Sequence, residues 1–253
     1  MKLEIKEEGR FKYASHGSGE PLVLLHGLFG ALSNFETLFE FFGSKYEVVI
    51  PLLPLYDLPV KETTVSGLAE YVLDFIEFKG YEKVNYLGNS LGGHVGLVCT
   101  LAKQDKVNSL ILTGSSGLFE KAFGDSFPKR SSYEFMKART ELTFYDPKMA
   151  TKELVDEVFE IVNNREKALR VLYMAKSAMR HNLREELQNI SIPVLLIWGK
   201  NDSITPPFVA EEFHKLLPNS ELIWFDKCGH VPMMEHPEQF NMELERFLHQ
   251  IDK

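Results

Sequence analysis

The segment Val84-Asn85-Tyr86-Leu87-Gly88-Asn89-Ser90-Leu91-Gly92-Gly93-His94 passes from an apolar run into a glycine-rich turn and then into a helical pattern. It contains a G-x-S-x-G pentad, Gly88 to Gly92, between a strand and a helix. A serine in that setting sits on a very tight turn, and glycines two residues to either side remove β-carbons that would collide with neighbouring backbone. The turn pushes the Ser90 hydroxyl into the open. An ordinary glycine-rich strand-to-helix loop is the plainer reading of the same residues.

Outward from the pentad, short β-rich runs alternate with longer helical patterns, which argues for a mostly parallel sheet with crossover helices. The expected strands are Leu3–Lys6 and Phe11–Ser15 as an opening hairpin, then Pro21–Leu25, Tyr46–Ile50, Val84–Leu87, Ser109–Leu112, Pro193–Trp198 and Glu221–Phe225. Val65–Lys79, Leu91–Lys103, Pro207–Leu217 and Pro237–Ile251 repeat apolar residues three and four apart, as helices packed on a sheet do. From Leu118 to Leu187 the alternation stops. That stretch is amphipathic helical pattern rich in Phe, Tyr and Met, so we expect a helical cap at 118–187 and a core built from 1–117 and 188–253. No internal repeat or long linker divides the chain further.

The 253 residues carry 28 Lys and Arg against 36 Asp and Glu, a net charge of −8, the wrong sign for a broad polyphosphate-binding face. Nucleic acid is not an expected partner. Two cysteines, Cys99 and Cys228, cannot build a disulfide framework or a zinc cluster. The amino terminus lacks the apolar stretch of a secretory signal, and no run approaches the length of a membrane span. The expected compartment is the cytoplasm.

A serine hydroxyl is a poor nucleophile until a base lies within hydrogen-bond reach and a third group orients that base. Asp202 follows the Pro193–Trp198 strand, and His230 follows the Glu221–Phe225 strand. In a parallel sheet those carboxyl ends share one edge, so Ser90, Asp202 and His230 can converge on one crevice.

The chain resembles the serine hydrolases of the α/β-hydrolase fold along essentially its whole length. The resemblance rests on His26-Gly27-Leu28-Phe29-Gly30 after an early strand, Gly88 to Gly92, Trp198 to Asp202, and Gly229-His230 followed by Pro232 and Glu235. It implies an eight-stranded sheet with the cap inserted after strand 6, Ser90 as nucleophile, His230 as general base and then acid, and Asp202 as the residue that orients the histidine. It implies an oxyanion hole from the backbone N–H groups of Leu91 and Leu28, with Phe29 as substitute for Leu28. No metal or organic cofactor is implied. The expected reaction is hydrolysis of a carboxylic ester or related small hydrophobic acyl compound through an acyl-serine.

Two other readings stand beside it. Gly88-Asn89-Ser90 with Gly92-Gly93, and Cys228-Gly229-His230 with Glu235-His236, resemble C–C bond hydrolases of ring-opened vinylogous diketo acids, but Val231 stands where those enzymes usually carry Trp. They also use a cap arginine for the substrate carboxylate, and Arg165, Arg170 and Arg180 are available for it. The third reading is a non-catalytic small-molecule-binding protein of the same fold.

Among other residues, His26 reads as an organiser of the oxyanion loop and His94 as structural. His16, His181, His214, His236 and His249 read as solvated. Glu235 reads as a structural hydrogen-bonder, and both cysteines as packing. Phe119, Phe123, Phe127, Phe135, Met136, Phe144, Tyr145, Met149, Tyr173, Met174 and Met179 either line an acyl pocket or pack the cap. Family members usually show an Asp-x-x-Gly-x-Gly turn after the strand ending at Ile50. Here Pro51-Leu52-Leu53-Pro54-Leu55-Tyr56-Asp57-Leu58-Pro59 has no glycine, so a reshaped entrance is expected.

Overall fold

A computed structural model of the chain describes residues 4–30, 32–119 and 131–251. Among these residues eight strands form one sheet: β1 (Lys6–Glu8), β2 (Phe11–His16), β3 (Glu20–Leu25), β4 (Tyr46–Pro51), β5 (Val84–Asn89), β6 (Val107–Thr113), β7 (Val194–Gly199) and β8 (Ser220–Phe225). Their spatial order is β1-β2-β4-β3-β5-β6-β7-β8, and from β4 to β8 every pairing is parallel. β1 and β2 join antiparallel at one edge.

The long apolar runs follow from burial on both faces, because successive strand residues point to opposite sides. Val23 and Leu25 of β3 and Val194, Leu196 and Trp198 of β7 pack on one face, against α2 (Val65–Phe78), α3 (Leu91–Ala102) and α7 (Pro207–Leu216). Leu22, Leu24, Leu195 and Ile197 pack on the other, against α1 (Glu36–Phe42), α8 (Pro232–Glu235) and α9 (Pro237–Ile251). Between β6 and β7 lie α4 (Tyr133–Glu141), α5 (Lys152–Asn163) and α6 (Arg165–Arg180). No described helix is long and apolar enough to cross a membrane.

Two details depart from the sequence reading. The first strand is Lys6–Glu8 rather than Leu3–Lys6, because a two-residue turn at Gly9-Arg10 pairs Glu8 with Phe11 and Lys6 with Tyr13, which fixes the register. Helix α1 went unread, since seven residues show too little periodicity, yet Leu38, Phe39 and Phe42 are buried under the sheet. Phe123 and Phe127 lie outside the described residues.

Helices α4 to α6 start on side-chain caps. Ser132 accepts from Phe135 N, Thr151 from Leu154 N, and Asn164 from both Glu166 N and Lys167 N. Each satisfies N–H groups that the first turn leaves without an intrahelical acceptor. Asn164→Ala is expected to cost about 1 kcal/mol and to lower the thermal midpoint by roughly 2–4 °C, read by calorimetry.

Candidate active site

Ser90 is the single residue between β5 and α3, at φ 55 and ψ −119, a left-handed conformation that non-glycine residues seldom adopt. The reversal is possible because its flanks lack side chains. A β-carbon on Gly88 would stand 2.5 Å from Gly92 C and Gly93 Cα, and one on Gly92 would stand 1.9 Å from the Leu25 carbonyl oxygen. The turn is held by Ser90 N–H to Thr113 O at 3.1 Å and by Gly93 N–H and Ser116 N–H to Ser90 O at 3.0 and 3.1 Å.

His230, past the end of β8, is buried, and its Nδ1 lies 2.9 Å from Asp202 Oδ2. Asp202 is buried behind it and anchored from every side. Ile204 N and Thr205 N donate to Oδ1 at 2.8 and 2.9 Å, and Thr205 Oγ1 donates to Oδ2 at 2.9 Å. The Thr205 carbonyl in turn accepts from the buried indole Nε1 of Trp198 at 2.9 Å. A carboxylate at Nδ1 holds the proton on that nitrogen and leaves Nε2 as the acceptor.

The sequence reading missed two supports of His230, Asn89 and Thr143, and anticipated a third, Glu235. Asn89 Nδ2, inside the pentad, donates to both Thr113 O and His230 O at 3.0 and 3.1 Å, tying the turn to the histidine loop. His230 N donates to Thr143 O at 2.8 Å. Glu235 accepts from Gly229 N at 2.6 Å and from Tyr145 N at 2.7 Å, the bonding role expected of it. Of the two that were missed, Asn89 had a local signal, an amide beside the serine, whereas Thr143 lies 87 positions from His230.

Ser90, Leu91, Leu28, Phe29 and His230 line a single cavity of about 380 Å³. Asp202 does not reach it. Leu91 is the first residue of α3, so its N–H has no intrahelical acceptor. Among the described residues the Ser90 hydroxyl forms no hydrogen bond, so it is not bonded to His230.

The rest of the wall is mostly apolar and comes largely from α4 to α6, including Met136, Val158, Val171 and Met174. Of the aromatic and sulfur residues weighed from the sequence, Met136, Phe144, Met174 and Met179 line it. Phe119 stacks edge-on against Phe208, while Tyr145 and Tyr173 are exposed. Apart from His230, the only ionisable side chain among the lining residues is Arg139, which forms no ion pair among the described residues. Arg165 and Arg180 are not on the wall, and Arg170 Nε donates to Leu58 O at 3.3 Å.

His26 behaves as an organiser, with Nδ1 2.9 Å from Gly27 O and Nε2 accepting from Leu53 N at 3.2 Å. Burial pushes its pKa down. His94 is fully buried, its pKa lowered to about 3 by burial first and then by His181. His181 is not simply solvated: at the C-terminal cap of α6, its Nδ1 lies 3.0 Å from His94 Nε2. Both thiols are raised by burial, in keeping with packing. No three His, Cys, Asp or Glu residues among those described group as metal ligands.

Residues 22–243 match the alpha/beta hydrolase family, and the chain belongs to that family. A solved structure, an alpha/beta hydrolase enzyme from the metagenome of sediments from the lagoon of Mar Chica, Morocco, is 44% identical with a TM-score of 0.83, covering 99% of this chain and 100% of that one. The 2-hydroxy-6-oxo-6-(2'-aminophenyl)hexa-2,4-dienoic acid hydrolase of Metapseudomonas resinovorans is 28% identical over 90% of this chain and 84% of its own. The pimeloyl-[acyl-carrier protein] methyl ester esterase of Nitrosomonas europaea is 27% identical over 88% and 94%. The dihydrolipoyllysine-residue acetyltransferase component of the acetoin cleaving system of Pseudomonas putida is 31% identical over 91% of this chain, which spans 64% of that relative's length.

The backbone conformation at Ser90 stores strain of about 1–3 kcal/mol. Ser90→Gly is expected to raise the unfolding free energy by about 1 kcal/mol, glycine's looser unfolded chain returning part of the relief. Denaturant titration reads it, and a fall in stability would show that the turn is unstrained.

Proposed function

We propose that the chain is a serine hydrolase that cleaves a carboxylic ester or related small hydrophobic acyl compound. The observation that supports this reading is the 2.9 Å His230–Asp202 contact beside an apolar cavity onto which the strained Ser90 also opens. His230 Nε2 takes the Ser90 proton as Oγ bonds to the carbonyl carbon, and the oxyanion is held by the N–H groups of Leu28 and Leu91. The tetrahedral species collapses and the C–O bond to the leaving group breaks. The departing alkoxide takes the proton from His230, leaving acyl-Ser90. Water, deprotonated by His230, attacks the acyl carbon; the acid departs and Ser90 recovers its proton. In this reading 118–187 is the cap over a core of 1–117 and 188–253, and its α4 to α6 side chains select the acyl group.

A fluorophosphonate probe tests the chemistry. One adduct per chain on Ser90, absent in Ser90→Ala, is expected together with ester turnover that the variant lacks. An unlabelled wild-type chain points instead to a non-catalytic binding protein.

Arg139 favours a second reading, C–C hydrolysis of a vinylogous diketo acid, since an exposed guanidinium at the edge of an apolar wall, with no ion pair among the described residues, suits a substrate carboxylate. A simple aryl ester and such a diketo acid offered side by side separate the two. If the diketo acid is the substrate, Arg139→Gln raises its KM roughly ten- to hundredfold. If the aryl ester is, Arg139→Gln leaves its KM nearly unchanged.

A further inference from the structure

The glycine-free turn Pro51–Pro59 acts on two consecutive peptide groups of the proposed oxyanion loop, on one through the His26 imidazole and on the other directly. The first is Gly27–Leu28. Its carbonyl oxygen accepts from His26 Nδ1 at 2.9 Å and from Gly30 N at 3.0 Å, and Leu53 N holds the same imidazole by donating to Nε2 at 3.2 Å. A peptide unit is planar, so a fixed Gly27 carbonyl directs the Leu28 N–H to the opposite side. The second is Leu28–Phe29, whose carbonyl oxygen accepts from the Tyr56 hydroxyl at 3.3 Å.

We infer that Tyr56 is a positioning residue for the oxyanion hole: it holds the Leu28 carbonyl and with it the Phe29 N–H of the same peptide, and, with the Gly27 carbonyl fixed on the other side, it locks the backbone of Leu28 and so the direction of the Leu28 N–H. The inference rests on the hydrolase reading above. Tyr56 is not among the residues lining the cavity, so it acts through Leu28 and not on substrate. It is itself held from the far side. The Lys167 ammonium of α6 lies 5.4 Å from its ring centroid, and Arg170 on the same helix bonds the Leu58 carbonyl of the turn. Burial first, then Glu157, raise its pKa, so the phenol keeps the proton it donates.

A donor of this kind matters most when charge develops on the substrate oxygen. Tyr56→Phe, which removes only the hydroxyl, is therefore expected to lower kcat for an aryl ester about three- to tenfold with KM nearly unchanged. Inhibition by a trifluoromethyl ketone, whose serine adduct carries the tetrahedral oxyanion, is expected to weaken by the same factor, with the unfolding midpoint preserved. Three results overturn the inference: kcat and ketone affinity both at wild-type level, a loss confined to KM, or a loss that appears in Tyr56→Leu but not in Tyr56→Phe. An active wild type matched by Tyr56→Phe removes this inference alone. A wild type inert to both ester and ketone removes the hydrolase reading and this inference with it.

Discussion

The reversal at Ser90 allows one residue between the last strand position, Asn89, and the first helical one, Leu91. No room remains for a side chain at Gly92, where the backbone of β3 passes within contact of α3 at the Leu25 carbonyl. That closeness brings the end of β3, and with it His26 to Gly30, alongside the start of α3. One steric constraint thereby sets the hydroxyl and both candidate N–H donors together on the cavity wall, independently of the side chains that α4 to α6 add to it.

The imidazole is placed by different means. β7 and β8 deliver Asp202 and His230 to the same sheet edge, and their following loops are bonded to each other by Asn201 N to Cys228 O at 2.9 Å. Asp202 is saturated by backbone and hydroxyl donors, which fixes its direction more firmly than a single contact to the ring could. Asn89 then spans from the serine turn to the histidine loop. A buried amide with two carbonyl partners is costly to leave half-satisfied, so the two halves of the site hold each other in register.

Much of this was legible in the sequence because strands buried on both faces read as continuous apolar runs, and Gly88, Ser90 and Gly92 carry a steric requirement in their identities. Asp202 and His230 were legible as residues just past strand ends. What stayed hidden depends on direction. In α4 to α6 apolar residues recur with helical period, but period alone does not say whether Tyr173 or Met174 faces the cavity. Arg139 was missed for the same reason, as was the His94–His181 contact between residues 87 positions apart. The β1 boundary turned on a two-residue hairpin loop, and α1 on a helix too short to show its pattern.

The segment from Leu142 to Tyr145 is sewn into the loops that carry Asp202 and His230. Ser203 Oγ donates to Leu142 O at 2.9 Å, His230 N to Thr143 O, and Tyr145 N to the Glu235 carboxylate. For protein engineering this means that the α4 to α6 region between β6 and β7 is not a detachable module. A minimal scaffold made by excising 118–187 would strip three partners from the very loops it was meant to expose. Grafting a foreign insertion in its place would have to reproduce that short stretch of main chain before any choice of pocket residues could matter.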